Sequence, residues 1–442
     1  QLALRQQLML DLPSYMVPNS FILLDEIPRN LAGKIDYNAV RGLAMAVVDA
    51  TSKDLSCPFA GSEIAREIQS TLGGRELNWD ASLVENGADS LEIVRLAMLL
   101  QKHSGHEWPL STLYEYPSMG AILNDVGGPE IAKKRPRDFK DWRYAELERL
   151  SGLIRHGAPR VSCAKDGILV TGATGLLGRH VVRALLKSTQ RPIYCLVRSP
   201  MGSTESPHKK LTQLLGVRNE ALRRLHIIVG DLDQNDVGLD EKGLYALQRS
   251  VSDIAHCAAD TNMLSPYSKL VTTNVQGSLN LIKLALASKA SFHFISSLAL
   301  FDTKPSLLAT PETKIMEVDN VASGYLQSKW MTEMLLEHCA TSGLKATIYR
   351  CGRLWGSSMN LEEARNDYVY QFLSVCQRIG QFPIMPMQLE ICPVDRIAEQ
   401  IASSVVSGLR QSVSGARIYH LCSNKSYTMD EIYAAMRHRL KE

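Results

Sequence analysis

The chain has 442 residues, of which 45% are hydrophobic and 21% are charged, so it is too long for one ordinary domain and too apolar to be disordered. Its 49 Lys and Arg residues nearly balance 46 Asp and Glu residues, and the formal charge of +3 argues against a protein that coats nucleic acid or binds membranes through a polybasic segment. No apolar run approaches the roughly 18 to 20 residues of a membrane-spanning helix, so a soluble, cytosolic protein with two or three globular units is expected.

The first segment, residues 1 to 48, combines a strand-like apolar run at residues 21 to 24 with a turn region that contains Pro28 and Gly33. It is too short to bury a core alone. Because the chain starts at Gln1 within a helix-like pattern, we expect this segment to be a remnant of a larger domain. The polar residues 49 to 58 that follow are typical of a linker.

Residues 60 to 126 have the pattern of a small helical domain. Apolar side chains recur at helical spacing through residues 63 to 72. A second set repeats this spacing at Leu91, Val94, Leu96, Met98 and Leu99. Residues 73 to 87 between them indicate a long loop, which leads into Ala88 and Asp89. The segment predicts a four-helix bundle.

Residues 127 to 165 are predicted to form a linker and a lead-in helix. Glycine and proline at 127 to 129 precede a basic run at 133 to 137, and such residues disfavour regular structure. A solvated hinge is therefore favoured over a binding role for the basic run.

From residue 166 to the end of the chain the pattern changes to alternating strands and helices. The predicted helices lie at 176–186 and 270–287. The predicted strands lie at 168–170, 193–197, 226–229, 254–257, 292–295 and 346–349. This alternation predicts an α/β fold with a Rossmann-type, doubly wound parallel sheet.

The first predicted strand and helix are joined by a loop whose glycines, Gly172, Gly175 and Gly178, are spaced three and three. Such glycines allow a tight turn and let the backbone approach a pyrophosphate, while the N-terminus of the helix supplies amide donors. A merely structural turn is the alternative. The position after a strand and before a helix, with further strands and helices behind it, favours a dinucleotide site.

Two arginines near this loop bear on which dinucleotide binds. In NAD enzymes a carboxylate about 20 residues beyond the loop holds the ribose hydroxyl. Arg198 occupies that place here, at the end of the second strand, and Arg179 directly follows the last glycine. Two guanidinium groups and no carboxylate favour the 2′-phosphate of NADPH over NADH. Two solvated arginines are the alternative.

Tyr325 and Lys329 are spaced by four, so a helix over them would place both side chains on one face. A nearby ammonium group favours phenolate, and we expect it to lower the pKa of Tyr325 towards neutral pH. The spacing alone occurs by chance in many chains. Here, however, Ser296 and Ser297 end the fifth predicted strand, at the edge where parallel sheets gather their sites.

Residues 167 to 442 resemble an extended short-chain dehydrogenase/reductase, specifically the thioester reductase domain that ends nonribosomal peptide synthetases and carboxylic acid reductases. The resemblance rests on residues 171–178, Arg198, 230–232, 256–259, Asn274, 296–297, 324–333, 350–353 and 393–395. Cys351 departs from the family pattern, which usually has a proline at that position.

The resemblance implies a catalytic triad of Ser297, Tyr325 and Lys329. It also implies contacts to NADPH from Gly172, Thr174, Gly175, Leu177, Gly178, Arg179, Arg198, Asp231, Leu232, Ala258, Ala259, Asn274, Tyr325 and Lys329. No metal is expected in this site. The nine cysteines include no Cys-x-x-Cys pair, so the sequence suggests neither a disulfide framework nor a zinc site.

Two further motifs extend the resemblance over nearly the whole chain. Residues 86 to 91 resemble the carrier-protein motif in which Ser90 takes a 4′-phosphopantetheine arm, with Ala88 where a second glycine is usual. A serine at a helix N-cap would be exposed to this modification, and a plain N-cap is the alternative. Residues 28 to 36, with Lys34, resemble the last motif of an adenylation domain, which makes residues 1–48 an α+β remnant of that domain.

The order of these motifs implies a synthetase-like enzyme with an adenylation remnant at 1–48, a peptidyl carrier domain at 60–126 and a reductase domain at 166–442 whose substrate lobe is expected to be truncated. The implied reaction is reduction of an acyl thioester on the carrier to an aldehyde, with an alcohol after a second reduction. The implied partners are an upstream adenylation domain and a phosphopantetheinyl transferase, without nucleic acid or membrane. A domain that releases its thioester by cyclisation and a non-catalytic docking fragment are the rival hypotheses.

Overall fold

The structure is a computed structural model. It describes residues 62–126, 139–154, 166–198, 207–301, 321–408 and 415–439, apart from 76, 84, 106, 107, 109, 117, 218, 322, 361, 362, 364, 366 and 424. Before residue 62 it describes only residues 28, 39, 40 and 42. The predicted strand at 21–24, the adenylation-like motif beyond Pro28, the linker at 49–58 and the basic run at 133–137 therefore lie outside the described residues.

The chain divides into two compact units, and the part of the first unit beyond residue 61 contains four described helices. These are α1 (Glu63–Thr71), α2 (Ser90–Ser104), α3 (Leu110–Glu115) and α4 (Met119–Val126). α1 begins after Ser62, whose hydroxyl accepts a hydrogen bond from the Ala65 amide at 3.3 Å. Fully buried side chains such as Ile68, Leu96 and Ile122 form the core of this unit. The four helices agree with the predicted bundle.

The buried face of α2 differs from the predicted one. Ile93, Leu96 and Leu100 are the buried side chains, and they follow the i, i+3, i+7 spacing of one helix face. Leu91 and Met98, which were expected in the core, are 58% and 68% exposed. They lie seven residues apart and therefore share a different face of the helix, which points to solvent within this unit.

The second unit is built on strands. They are β1 (Gly167–Thr171), β2 (Ile193–Val197), β3 (Leu225–Val229), β4 (Val251–His256), β5 (Ser291–Ser297), β6 (Ala346–Cys351), β7 (Leu354–Trp355), β8 (Gln388–Glu390), β9 (Cys392–Pro393), β10 (Arg417–Leu421) and β11 (Ser426–Thr428). Seven of them form a parallel sheet in the order β10-β6-β5-β4-β1-β2-β3. β7 pairs with β9, and β8 pairs with β11.

Helices cover both faces of this sheet. The described α-helices of this unit are α5 (Phe139–Ser151), α6 (Leu176–Ser188), α7 (Pro207–Leu215), α8 (Asn219–Leu222), α9 (Glu241–Ser250), α10 (Tyr267–Leu270), α11 (Gly277–Ser288), α12 (Gly324–Thr341), α13 (Tyr368–Ile379), α14 (Val394–Ser407) and α15 (Met429–Arg439). Leu169 of β1 packs in the cluster that contains Trp330 of α12, whereas Ile168 packs in the cluster that contains Val181 of α6. Alternate residues of a strand thus face opposite helical layers, as a doubly wound sheet requires.

The sheet confirms the predicted fold. It also shows the topological switch point, which is the place where the order of the strands reverses direction. β1 lies between β2 and β4, so the chain builds one side of the sheet and then crosses to the other. Ligands of such sheets bind outside the carboxyl ends of the strands at this point. The sequence pattern did not predict β10 or α14, and the helix predicted at 270–287 is divided by a π-helical turn at Val271–Gln276. Among the described helices, none has both the length and the apolar character needed to cross a bilayer.

Candidate active site

The glycine loop lies at the carboxyl end of β1 and is shaped by the absence of side chains. Gly172 has a φ of +69°, and a Cβ there would lie 2.7 Å from the Ala258 amide nitrogen. A Cβ on Gly178 would lie 2.1 Å from the Gly172 carbonyl oxygen. Both positions therefore require glycine, the first for its left-handed backbone and the second for the close packing of α6 on the loop.

The N-terminus of α6 is suited to a dinucleotide pyrophosphate. Gly175 is the N-cap of α6 and supplies no side-chain cap, so the first-turn amides lack an intrahelical partner. Thr174 and Gly175 are exposed, whereas the side chain of Leu177 is buried, so Leu177 can reach the ligand only through its amide. These first-turn amides fit the phosphates of the predicted cofactor.

The two arginines near the loop have different surroundings. Arg198 is exposed directly after β2, as predicted for a residue that meets the 2′-phosphate. Arg179 instead faces Glu363, with 3.7 Å between Nη2 and Oε1, and burial lowers its pKa. Because His180 and Arg183 contact the same carboxylate at 2.9 and 3.2 Å, Glu363 neutralises this end of α6. The contact of Arg179 to the phosphate stays a prediction, and it would compete with this carboxylate.

The loops after β3 and β4 carry the other predicted cofactor residues. Asp231 donates its amide to the Val237 carbonyl at 2.8 Å, which fixes the turn after β3. Leu232 is buried in the core beside α11, with its Cβ near Gly277. Ala258 and Ala259 are half-buried after β4, and the Ala258 backbone lies against Gly172. Small residues at 258 and 259 leave the space in front of the glycine loop open.

Lys329 joins α12 to the carboxyl end of β5. Its ammonium donates to the Ile295 carbonyl at 2.8 Å and lies 4.7 Å from the centre of the Phe294 ring and 5.6 Å from that of Tyr325. Burial lowers the pKa of Lys329 to about 8, and nearby thiols and Glu333 oppose this effect. The predicted helix over Tyr325 and Lys329 is confirmed, and its first turns lie beside the carboxyl end of the strand that carries Ser297.

Ser297 is half-buried at the last position of β5. Its hydroxyl oxygen accepts a hydrogen bond from the Ala299 amide at 3.2 Å, so its proton remains available for a further acceptor. Because Lys329 contacts the carbonyl two residues earlier, all three residues of the predicted triad belong to the junction of β5 and α12.

The pKa of Tyr325 moves in the direction opposite to the prediction. Burial of the phenol raises it, and the adjacent Cys351 adds to this effect. The Lys329 ammonium does not reverse the shift because it points to the Ile295 carbonyl and is itself desolvated. Tyr325 is therefore a protonated phenol at neutral pH, which suits a hydrogen-bond or proton donor rather than a base.

Two thiols also lie close to this junction. Cys351 pairs with Ser297 in the register of β5 and β6, and burial raises its pKa. Burial raises the pKa of Cys257 to about 12. Thiols with such pKa values remain protonated at neutral pH and are poor nucleophiles. The arrangement favours direct reduction of a bound carbonyl over a mechanism with a cysteine-bound acyl group.

The side chain of Asn274 makes three hydrogen bonds within the protein. Its Oδ1 accepts from the Asp260 amide at 2.7 Å, and its Nδ2 donates to the Asp260 carbonyl at 2.9 Å and to Ser328 Oγ at 3.0 Å. Both amide protons are thus occupied, which leaves only the second lone pair of Oδ1 for a further partner, and the contact of this residue to the cofactor stays a prediction. Sequence reasoning missed Ser328, whose only signal is its place one residue before Lys329.

The predicted attachment site lies at the start of α2. Asp89, rather than Ser90, is the N-cap: its carboxylate accepts from the Glu92 amide at 2.8 Å while Glu92 accepts from the Asp89 amide at 2.9 Å. Arg75 holds the same Glu92 with two hydrogen bonds of 2.8 and 2.7 Å. This reciprocal cap fixes Ser90 as the first residue of the helix. Asp89 and Leu91 on either side of it are exposed.

Two sequence families match the chain. The family described as Male sterility protein, whose members bind NAD, matches residues 170–401, which is more than half of the chain. The family described as Phosphopantetheine attachment site matches residues 62–126. The first match contains the glycine loop and runs from the end of β1 into α14, and the second contains the four helices around Ser90.

Several proteins with assigned names are similar to this chain. The L-2-aminoadipate reductase large subunit of Eremothecium gossypii is 28% identical in an alignment of 433 positions that covers 88% of this chain and 31% of that protein. The isonitrile lipopeptide synthase of Streptomyces coeruleorubidus is 28% identical in an alignment of 419 positions that covers 90% of this chain and 28% of that protein. The chain therefore spans about a third or less of the length of these relatives.

Solved structures show the same fold. The terminal R domain from the myxalamid PKS-NRPS biosynthetic pathway is 29% identical with a TM-score of 0.58, and the match covers 66% of this chain and 76% of that one. A thiolation-reductase di-domain from an archaeal non-ribosomal peptide synthetase, 19% identical, has a TM-score of 0.64 and covers 85% of this chain and 80% of that one.

Proposed function

The chain belongs to the Male sterility protein family of NAD-binding domains, and on that premise we propose that it reduces an acyl or peptidyl thioester, carried on its own phosphopantetheine, to an aldehyde. The observation that carries this proposal is the junction of β5 and α12, where a protonated Tyr325 and the buried ammonium of Lys329 lie at the same edge of the sheet as the glycine loop. The phosphopantetheine attachment site in the same chain supplies the thioester.

The proposal assigns each part of the site a binding role. The amides at the N-terminus of α6, from Gly175 onward, hold the pyrophosphate. Arg198 meets the 2′-phosphate, and Lys329, which uses one of its three donors on Ile295, gives the others to ribose hydroxyls. Thr174, Ala258 and Ala259 border the space in front of the loop.

The chemistry then follows from charge development on the substrate. When bound, NADPH supplies the hydride that adds to the thioester carbonyl carbon. Tyr325 and Ser297 donate hydrogen bonds to the oxygen as it gains negative charge, which stabilises the transition state more than the ground state. The resulting hemithioacetal breaks its carbon–sulfur bond, the pantetheine thiolate leaves and takes a proton, and an aldehyde is released. A second two-electron reduction at the same site would give an alcohol.

Two rival functions are less well supported. A cyclising release domain needs no donor for a hydride-generated oxyanion, whereas Tyr325 is kept protonated at the centre of this site. A non-catalytic docking fragment would not require residue 178 to be glycine, whereas in this structure a Cβ at Gly178 would clash with the glycine loop. An NADPH-oxidation assay with an acyl-pantetheine thioester separates the reductase from both rivals, because only the reductase consumes the cofactor.

The proposal also assigns residue ranges to domains and names two partners of the chain. Residues 1–48 would belong to an upstream adenylation domain that selects and loads the acyl group, 60–126 would be the carrier, and 166–442 the reductase. A phosphopantetheinyl transferase would attach the arm to Ser90. The relatives named above are much longer than this chain, which is consistent with further domains in a full enzyme.

Arg198→Ala should distinguish NADPH from NADH. Loss of a charge-assisted contact to the 2′-phosphate is expected to raise the NADPH dissociation constant about ten- to a hundredfold and to leave NADH binding almost unchanged. Titration calorimetry with each dinucleotide measures both constants.

Arg179→Ala is the matched control for this substitution. Its guanidinium contacts Glu363 rather than open solvent, so we expect both dissociation constants to change by the same factor. An equal loss of NADPH and NADH affinity in Arg198→Ala would rule out the assigned phosphate contact.

A further inference from the structure

A buried line of hydrogen bonds runs from the end of β1 across β4 to α11. Thr171 Oγ1 lies 2.8 Å from His256 Nδ1, and His256 Nε2 lies 2.9 Å from Ser278 Oγ. All three side chains are at most 1% exposed. Thr171 directly precedes the glycine loop, so this line starts at the proposed cofactor site.

The donor and the acceptor of each hydrogen bond in this line can be assigned. Ser278 donates its hydroxyl proton to the Asn274 carbonyl, so it must accept from His256 Nε2–H. His256 Nδ1 then accepts from Thr171, whose oxygen in turn accepts from the Ala258 amide at 3.3 Å. A neutral imidazole satisfies both contacts, and burial lowers the pKa of His256 to about 3, which keeps it neutral.

A second line leaves Asn274 and ends on Tyr325. The Asn274 amide holds the backbone of Asp260 through both its oxygen and its nitrogen and donates to Ser328 Oγ at 3.0 Å. Ser328 passes its own proton to the Tyr325 carbonyl at 2.6 Å, so it must be the acceptor of the Asn274 bond. The side-chain amide of Asn274 therefore connects the loop after β4 to the first turn of α12.

The π-helical turn contains Asn274, which takes part in both lines of hydrogen bonds. It spans Val271–Gln276, and π turns are rare and often found at functional sites. Within it the Asn274 carbonyl accepts side-chain hydroxyls, from Ser278 and at 3.4 Å from Thr332. These two hydroxyl contacts connect the Asn274 carbonyl to both α11 and α12.

We propose that His256, Ser278, Asn274 and Ser328 are positioning residues that fix Tyr325 relative to the glycine loop, and so set the rate of the reductive step without binding cofactor or substrate. The inference rests on the proposed function, because it assigns Tyr325 the role of donor. Every member except Asn274 was outside the predicted site. Each gives its side-chain protons to partners inside the protein, so none has a free side-chain donor for a ligand.

Ser328→Ala tests the line that ends on Tyr325. It removes one hydroxyl, leaves an Asn274 donor without its acceptor, and removes the side-chain bond to the Tyr325 carbonyl. Because a small misplacement of a reacting group costs up to about a hundredfold in rate, we expect kcat to fall ten- to a hundredfold while the NADPH dissociation constant stays within about twofold. The primary deuterium isotope effect with deuterated NADPH should rise, since the reductive step becomes slower than the steps around it.

Ser288→Ala is the matched control, because Ser288 is equally buried in α11 and its hydroxyl contacts Leu284 within the same helix. It should leave kcat and the isotope effect near the parent values. A merely structural role of Ser328 would lower the folded fraction and leave the isotope effect and the kcat per folded molecule unchanged. That result, or an unchanged kcat, would overturn the inference.

His256 offers a rescue experiment on the other line. Glutamine keeps one donor and one acceptor near the imidazole positions, whereas leucine of similar volume keeps neither. We expect His256→Leu to lose about tenfold more activity than His256→Gln at equal folded fraction. Equal activities of the two variants would show that the line does not position the site.

Amide hydrogen exchange tests the same network without any turnover. The Asp260 amide is held by Asn274, so Asn274→Ala should speed its exchange about tenfold and Ser328→Ala several-fold, while Ser288→Ala should not. If the parent oxidises no NADPH, the proposed function fails. The exchange rates then still test whether the hydrogen-bond network holds the loop after β4. Unchanged exchange at Asp260 in Asn274→Ala and Ser328→Ala would contradict it.

Discussion

Ser90→Ala should abolish attachment of phosphopantetheine and all turnover of a carrier-bound substrate. Incubation of the parent chain with a phosphopantetheinyl transferase and coenzyme A should add about 340 Da, the mass of one arm on a hydroxyl, and the variant should gain nothing. Tethering places the thioester at an effective concentration in the millimolar range for a flexible linker, so loss of the arm removes this advantage entirely. Intact-protein mass spectrometry measures the outcome.

The reductase half of the same variant is its own control. Reduction of a free acyl-pantetheine should be unaffected, because the junction of β5 and α12 is in the other compact unit. Continued loading of Ser90→Ala would place the attachment elsewhere. A parent chain that is never loaded would make residues 60–126 a helical interaction domain.

Tyr325→Phe should lower turnover by roughly a hundred- to ten-thousandfold, the range typical of a lost general acid. Only the hydroxyl is removed, and the ring still packs against the buried core, so the fold and the NADPH dissociation constant should be kept. The assay is NADPH oxidation with an acyl-pantetheine thioester, alongside a thermal melt and a cofactor titration.

Tyr245→Phe, in which the altered phenol is exposed on α9, should behave as the parent. A Tyr325→Phe enzyme that reduces the thioester at the parent rate would make Tyr325 a packing residue and would remove the triad from the mechanism.

The parts of the fold that the sequence predicts are those with a local signal. The strands at 193–197 and 292–295 are short apolar runs, and the glycine spacing of the loop has a direct steric cause at Gly172 and Gly178. β10 was missed because its polar and apolar residues do not alternate clearly, and only pairing with β6 makes it a strand. The π turn was missed because nothing in a helical pattern at 270–287 marks one extra residue in the turn.

The site was predicted as a set of residues but not as an electrostatic environment. Tyr325 and Lys329 are neighbours as their spacing indicates, yet the pKa of Tyr325 rises because burial outweighs a nearby charge. Arg179 turns to Glu363, which is distant in the sequence, and Asn274 turns to Ser328. Desolvation and long-range partners depend on the packed structure, so local sequence patterns do not contain them.

The most direct test of the account is release of an acyl group from the loaded chain. The parent, loaded on Ser90 with an acyl-pantetheine arm from acyl-coenzyme A, is mixed with NADPH under single-turnover conditions, and cofactor oxidation, protein mass and product are followed together. The account predicts that one NADPH is oxidised for each acyl group lost, with the aldehyde as first product. Loss of the acyl group without NADPH oxidation, as an acid or a cyclic product, would contradict it.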